Sequence, residues 1–109
     1  MTLSVVHYYR SSTGKVPFQA WLDRLRDKTA KAAIIRRIIR IELGDFGEHK
    51  RIGAGVSELK VDVGPGYRVY YGMMGHSVVV ILSAGNKSSQ ARDIERAKQY
   101  WADYQERYE

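Results

Sequence analysis

Apolar residues in the first half of the chain recur every three or four positions, which is the spacing of an amphipathic helix. The first such pattern begins at Pro17, a residue suited to the first position of a helix. Its predicted inner face consists of Phe18, Trp21, Leu22 and Leu25. The second pattern covers residues 29–43, with Asp27 or Thr29 as its N-cap and Gly44 at its end. Its predicted inner face consists of Ile34, Ile35, Ile38 and Ile41.

Alternating or continuously apolar runs predict four strands, at residues 3–10, 57–63, 67–73 and 77–83. The last run is apolar almost throughout, as is typical of a central strand covered on both faces. The stretch 44–55 contains four glycines and no period, so we predict a loop there. A final helix follows Ser88 or Ser89 as its N-cap. Its predicted apolar stripe consists of Ile94, Ala97, Trp101 and Tyr104.

The order of these elements is β-α-α-β-β-β-α, which predicts an α+β fold with two helices before an antiparallel meander and one helix after it. A chain of 109 residues is sufficient for one domain, residues 1–109. There is no cysteine, which excludes disulfides, thiolate metal sites and cysteine nucleophiles. The N-terminus lacks a signal-peptide pattern, and no run approaches the roughly 18 apolar residues of a membrane span. We therefore expect a soluble, cytoplasmic protein without membrane contact.

The chain is basic, with 18 Lys and Arg residues against 12 Asp and Glu residues and a net charge of +6. This balance favours a polyanion or an acidic protein as a partner, although many soluble proteins are equally basic. The histidines His7, His49 and His76 are scattered and show no metal-ligand spacing. Motifs of nucleotide-binding proteins and of serine hydrolases are missing. The sequence therefore predicts neither a metal nor a cofactor.

The segment GPGYRVYYG places one arginine, Arg68, in a strand of apolar and aromatic residues. Because side chains alternate across a sheet, Arg68 can share a face with Lys60 of the preceding strand. Lys87 follows the next strand at the same end of the sheet. Three converging cations repel one another, so the pattern indicates an anion-binding site. The alternative is that Arg68 pairs with Glu58 or Asp62 across the strands.

Further aromatic and basic residues are candidates for contacts with nucleic acid. Tyr70 shares the predicted face of Arg68, where its ring can stack on a base. His49, Lys50 and Arg51 form a second basic feature, in the predicted loop. His49 can also transfer protons near neutral pH. The alternative is ordinary: packed aromatic rings and solvated loop charges.

The segments ELKVDVGPGYRVYYG and VVVILSAGNKSSQARDIERAKQYWADY resemble the RelE/ParE superfamily of toxins from type II toxin–antitoxin systems. The resemblance is greater to the addiction-module killer branch, which is allied to HigB. It implies a RelE-like fold and a metal-independent mRNA endonuclease, acting in connection with translation. It also implies a cognate antitoxin, typically a helix-turn-helix protein. The alternative within the superfamily is a non-enzymatic, ParE-like toxin that binds DNA gyrase.

The resemblance also implies catalytic roles for Lys60, Arg68 and Lys87. Arg68 would bind two non-bridging oxygens of the phosphate as a bidentate fork. Lys87 and Lys60 would steady the phosphate or transfer protons, and the sequence does not assign acid and base. RelE-like nucleases often place Tyr or His near the start of the last helix. The corresponding stretch here is SSQARDI, in which Asp93 stands instead.

Overall fold

The computed structural model describes residues 3–108 as five strands, three α-helices and one short 3-10 turn. In chain order these are β1 (Val5–Tyr8), α1 (Pro17–Arg24), α2 (Lys28–Glu42), β2 (His49–Gly53), β3 (Val56–Val61), β4 (Tyr67–Met74), β5 (Val78–Asn86), the 3-10 turn (Lys87–Ser89) and α3 (Gln90–Tyr108). The predicted α+β class and the three predicted helices are confirmed. Each of the four predicted strands is also present.

All five strands form one sheet in the order β1-β5-β4-β3-β2. Neighbours from β2 to β5 run antiparallel, whereas β1 pairs in parallel with β5. The sheet is therefore mixed, and the prediction of a purely antiparallel sheet is wrong. The period of a strand does not encode its direction. The direction of β1 depends on the path that α1 and α2 take before the chain enters the meander.

The stretch 44–55, which the sequence predicts to be a loop, contains the edge strand β2. This strand pairs with β3, from His49 opposite Leu59 to Gly53 opposite Val56. Four of its five residues are exposed, so the strand needs few apolar side chains and carries no apolar period. Polar edge strands of this kind protect sheets against edge-to-edge association.

The sheet separates two apolar cores. The core between the sheet and the first two helices includes Phe18, Leu22, Ile34, Ile38, Ile41, Leu59, Val69 and Ile81. The core between the sheet and α3 includes Tyr70, Val80, Leu82, Ala97 and Trp101. Ile94 and Tyr104 pack against this second core, which confirms the predicted stripe of the last helix. Ile35 is 40% exposed, so the prediction that it faces inward is wrong.

Polar side chains cap the start of α2 and the start of the turn that precedes α3. The Asp27 side chain accepts a hydrogen bond from the Ala30 backbone N–H at 3.1 Å, as expected of the N-cap of α2. At the end of β5, Asn86 caps the 3-10 turn that precedes α3, and the capping of the final helix by Ser88 or Ser89 stays a prediction. The Asn86 Oδ1 accepts from the Ser88 N–H at 3.0 Å and the Ser89 N–H at 3.3 Å. This cap fixes the 3-10 turn directly after the last strand.

A buried tyrosine connects the end of β1 to α3. The Tyr9 hydroxyl donates a hydrogen bond to the Asp103 carboxylate at 2.6 Å. Burial, and then the Asp103 carboxylate, raises the pKa of Tyr9 from 10.0 to about 12. The folded protein therefore favours the neutral phenol more strongly than the unfolded chain does.

We expect this tyrosine to make the stability fall at alkaline pH. Its contribution is complete below pH 10 and is lost as the pH rises towards 12, by up to about 3 kcal/mol. In urea unfolding between pH 9 and 12, Tyr9→Phe should lose stability more gradually than the wild type. Tyr108→Phe, at an exposed tyrosine, serves as the control. An unchanged pH profile in Tyr9→Phe would show that Tyr9 is not responsible.

Candidate anion-binding site

Lys60 and Arg68 are directly paired across β3 and β4. Paired residues of an antiparallel ladder point to the same side of the sheet, which here is the side covered by α3. Together with Lys87 they line an open cleft of about 290 Å³ beside the turn at residues 64–66. The structure thus brings together the three cations that the strand pattern places at one end of the sheet.

The backbone beside Lys87 is fixed by the turn between β3 and β4. The Gly66 N–H donates to the Val63 carbonyl at 3.0 Å, which closes the turn, and the Lys87 N–H donates to the Gly66 carbonyl at 3.2 Å. Gly64 adopts a φ of 55°, a left-handed conformation that glycine adopts without strain. The GPG segment therefore joins two strands and also anchors the 3-10 turn that carries Lys87.

Arg37 of α2 fixes the backbone at Lys60 from the opposite side of the sheet. Its guanidinium donates to the Lys60 carbonyl at 2.5 Å, the Phe46 carbonyl at 2.9 Å and the Glu48 carbonyl at 3.2 Å. Burial, and then the nearby charge of Arg40, lowers the pKa of Arg37. Arg37 therefore connects α2, β3 and the segment before β2.

Glu58 lies buried beneath the cations and is the residue that sequence reasoning underestimates. It is 3% exposed, and its carboxylate is 3.8 Å from Arg68 Nε and 3.5 Å from Lys50 Nζ. The alternative that Arg68 pairs with Glu58 is thus confirmed, while Asp62 lies 3.9 Å from Lys60 instead. The sequence gives little indication that Glu58 is buried, because an acidic residue at an alternating strand position is ordinarily solvated.

The ion pair leaves Arg68 with unused hydrogen-bonding capacity. Arg68 Nε and Glu58 Oε2 are both buried and have no hydrogen-bond partner. Within residues 3–108, the Arg68 side chain makes no hydrogen bond to protein. Its side chain is 11% exposed, so it is held in place while part of it reaches the cleft. A planar guanidinium of this kind can donate two parallel hydrogen bonds to two oxygens of a phosphate.

Tyr70 is not available as a stacking platform. It is 0% exposed, inside the core under α3. Burial raises the pKa of Tyr70, and the carboxylates of Glu58 and Asp93 raise it further. Its hydroxyl has no hydrogen-bond partner. Tyr70 therefore packs beneath the site, next to Glu58, with which it pairs across β3 and β4.

The basic residues around β2 divide between the two faces of the sheet. Lys50 pairs with Glu58 and faces the cleft, whereas His49 and Arg51 pair with Leu59 and Ser57 and face the side of α2. A smaller side pocket of about 200 Å³ is lined by Lys50, Lys60, Arg68 and His49. The structure thus groups Lys50 with Lys60 and Arg68, but not with Lys87, and it does not place Arg51 there.

The ring of His49 is engaged by neighbouring residues. It lies 5.8 Å from the Phe46 ring, and its Nδ1 is 2.8 Å from the Gly47 carbonyl. Because a carbonyl only accepts, Nδ1 carries the proton in this contact. Nε2 is then the nitrogen that remains for another partner, at the margin of the cleft.

Asp93 occupies the first turn of α3, close to the end of β5. Its carboxylate accepts a hydrogen bond from the Ser89 hydroxyl at 2.5 Å. It lies so close to Gly85 that a Cβ there would overlap the carboxylate. Asp93 is buried and therefore packs the helix start against the strand.

The described residues, 3–108, contain no group of His, Asp and Glu side chains arranged to hold a metal ion. No helix in the same range is both long and apolar enough to span a bilayer. The site is defined instead by cations. Lys60, Arg68 and Lys87 line one cleft, and Lys50 lies with Lys60 and Arg68 beside the buried Glu58.

Fold and site together define a small α+β protein with a cleft lined by Lys60, Arg68 and Lys87 at the end of a mixed sheet. Residues 20–102 match the family described as phage-derived protein Gp49-like. The chain therefore belongs to this family, which is associated with the toxins of toxin–antitoxin systems and so implies an antitoxin partner. An uncharacterized protein of Haemophilus influenzae is 43% identical over 81 residues, which are 74% of this chain and 82% of that protein.

Proposed function

We propose that this protein is a type II toxin that cleaves mRNA without a metal, in the cytoplasm and in connection with translation, until its cognate antitoxin covers it. The observation that carries the proposal is the pairing of Lys60 with Arg68 at a cleft that Lys87 also lines. Membership of the Gp49-like family supports the toxin class. The resemblance of the GYR segment to RelE/ParE and HigB-like toxins supports RNA cleavage and a helix-turn-helix antitoxin.

The proposed reaction uses the substrate's own ribose as nucleophile. The 2′-oxygen forms a bond to the adjacent phosphorus as the bond from phosphorus to the 5′-oxygen breaks. The 2′-hydroxyl loses its proton, and the leaving 5′-oxygen gains one. The products are a 2′,3′-cyclic phosphate and a 5′-hydroxyl. Negative charge grows on the non-bridging oxygens, where fixed cationic donors have their largest effect on the rate.

Each cation has a place in this proposal. Arg68 binds the non-bridging oxygens as a fork, because its guanidinium makes no hydrogen bond to the described part of the protein. Lys60 and Lys87 line the same cleft. Their positive charges stabilise the negative charge that develops on the phosphate and on the leaving oxygen. Lys50, on the same face as Lys60, contacts the neighbouring part of the RNA. Glu58 is a positioning residue, since its carboxylate holds Arg68 from beneath.

Expression in bacterial cells tests this function. Induction of the wild type should arrest growth and produce new mRNA ends, whereas Arg68→Ala should do neither. Co-expression of the cognate antitoxin should restore growth. Growth arrest without new RNA ends, together with inhibition of gyrase supercoiling by the purified protein, would contradict the proposal and favour the ParE-like alternative.

A further inference from the structure

A second cleft, of about 500 Å³, lies between α1 and α3. Its floor is the end of β5, which projects past β1, because β1 pairs with β5 only from Val78 to Ile81. Gly85 lines this cleft and is also the residue of β5 that pairs with Arg68. Paired Cα atoms in such a ladder are about 4.5–5.5 Å apart. The second cleft is therefore adjacent to the anion-binding site.

Four cations surround the second cleft: Lys15, Arg24, Arg92 and Arg96. None of them forms an ion pair within the described range. Arg92 and Arg96 stand four residues apart on α3, a spacing at which like charges repel each other and destabilise a helix. An anion between α1 and α3 would remove this repulsion.

The floor of the second cleft also carries an unpartnered hydroxyl. Ser83 is 9% exposed, and its Oγ has no hydrogen-bond partner in the structure. A buried polar group without a partner destabilises the folded state, because it has lost its hydrogen bonds to water. Its position on the floor of the cleft is independent of the charges around the rim, and it indicates that a polar ligand belongs there.

Aromatic side chains complete the second cleft. Trp21 of α1 and Tyr100 of α3 are half-buried and line it together with the cations. Cations interleaved with aromatic rings are typical of surfaces that bind single-stranded nucleic acid, because bases stack on the rings while phosphates contact the charges. An acidic peptide would use the charges but not the rings.

We propose that the cleft between α1 and α3 binds the phosphodiester backbone of the RNA strand next to the phosphate held at Arg68. This inference rests on the proposed function, since it makes the second cleft a continuation of the cleavage site. One strand would then extend from Lys60 and Arg68 across the end of β5 to Arg92 and Arg96. The start of α3, packed on Gly85, would separate the two phosphate positions.

Binding of a short oligoribonucleotide with 2′-O-methyl riboses tests the second cleft without cleavage. We expect Arg92→Gln/Arg96→Gln to weaken binding and to reduce the slope of log K against log salt by about 1.4, or about 0.7 for each phosphate that the variant no longer neutralises. The control, Lys28→Gln/Arg36→Gln, removes the same charge from exposed positions of α2 that line neither cleft. Thermal unfolding of both variants verifies that they are folded.

Equal affinities and slopes in the two double variants would overturn this inference. It would also be overturned if binding of a glutamate-rich peptide, and not of the oligonucleotide, depended on Arg92 and Arg96. Cleavage of the unmodified oligoribonucleotide is measured in parallel. Cleavage with an unchanged salt slope would contradict the second cleft alone. A reduced slope without cleavage by the wild type would support the cleft and contradict the proposed nuclease function.

Discussion

Arg68→Lys should lower the rate of RNA cleavage by the purified protein by about 10²–10³-fold, the usual cost of removing one fixed donor to a developing negative charge. Lysine keeps the positive charge next to the buried Glu58, so that carboxylate is not left without a counter-ion. It loses the planar fork that binds two phosphate oxygens at once. The measurement is the single-turnover cleavage rate, with thermal unfolding recorded for the same sample.

The matched control is Arg26→Lys, at an exposed arginine between α1 and α2 that lines neither cleft. Its cleavage rate should equal that of the wild type. If Arg68→Lys also retained the full rate while remaining folded, Arg68 would act only through its ion pair with Glu58. The assignment of the fork to the phosphate would then be wrong.

Gly72→Ala should destabilise the protein by about 3 kcal/mol, at the upper end of the range for overpacked cores. Gly72 lies in β4, and a Cβ there would be 2.5 Å from Cδ2 and Cε3 of Trp101. The Trp101 ring is buried and rigid, so α3 would have to move away from the sheet. We expect the melting temperature to fall by roughly 10–20 °C.

A double-mutant cycle separates the destabilisation caused by the clash with Trp101 from that caused by replacing a glycine. In a Trp101→Leu background, Gly72→Ala should cost less than about 1 kcal/mol, because the smaller side chain leaves room for the methyl group. Gly75→Ala provides a comparison in open space, where nothing lies within 4 Å but φ is 65°. Additive effects of Gly72→Ala and Trp101→Leu would show that the two residues do not interact.

The central part of the site follows from the sequence because strand parity is a strict rule. The alternation around Arg68 predicts which residues share its face, and the register with Lys60 confirms it. Lys87 joins the same cleft because a short turn leaves it little freedom after the strand. The fold class is also predictable, since the helical and strand periods are long and distinct.

Other features depend on tertiary contacts that leave no pattern in the chain. The burial of Glu58 requires neighbours on both sides, and an acidic residue in an alternating strand ordinarily faces water. The strand β2 is mostly exposed, so nothing in its apolar content distinguishes it from a loop. Tyr70 shares the face of Arg68 as predicted, but α3 covers that part of the sheet. The alternation of side chains along a strand does not show which part of a sheet face a helix covers.

The parallel pairing of β1 with β5 determines when the protein can fold during its own synthesis. Val5 pairs with Val78, so β1 leaves the ribosome about 73 residues before its partner strand. At about 5–20 residues per second, this separation corresponds to a delay of about 4–15 s. The 3-10 turn with Lys87 and the first turn of α3 are made later still. A nascent chain therefore reaches its complete sheet and its cationic cleft only after β5 and the 3-10 turn have been made.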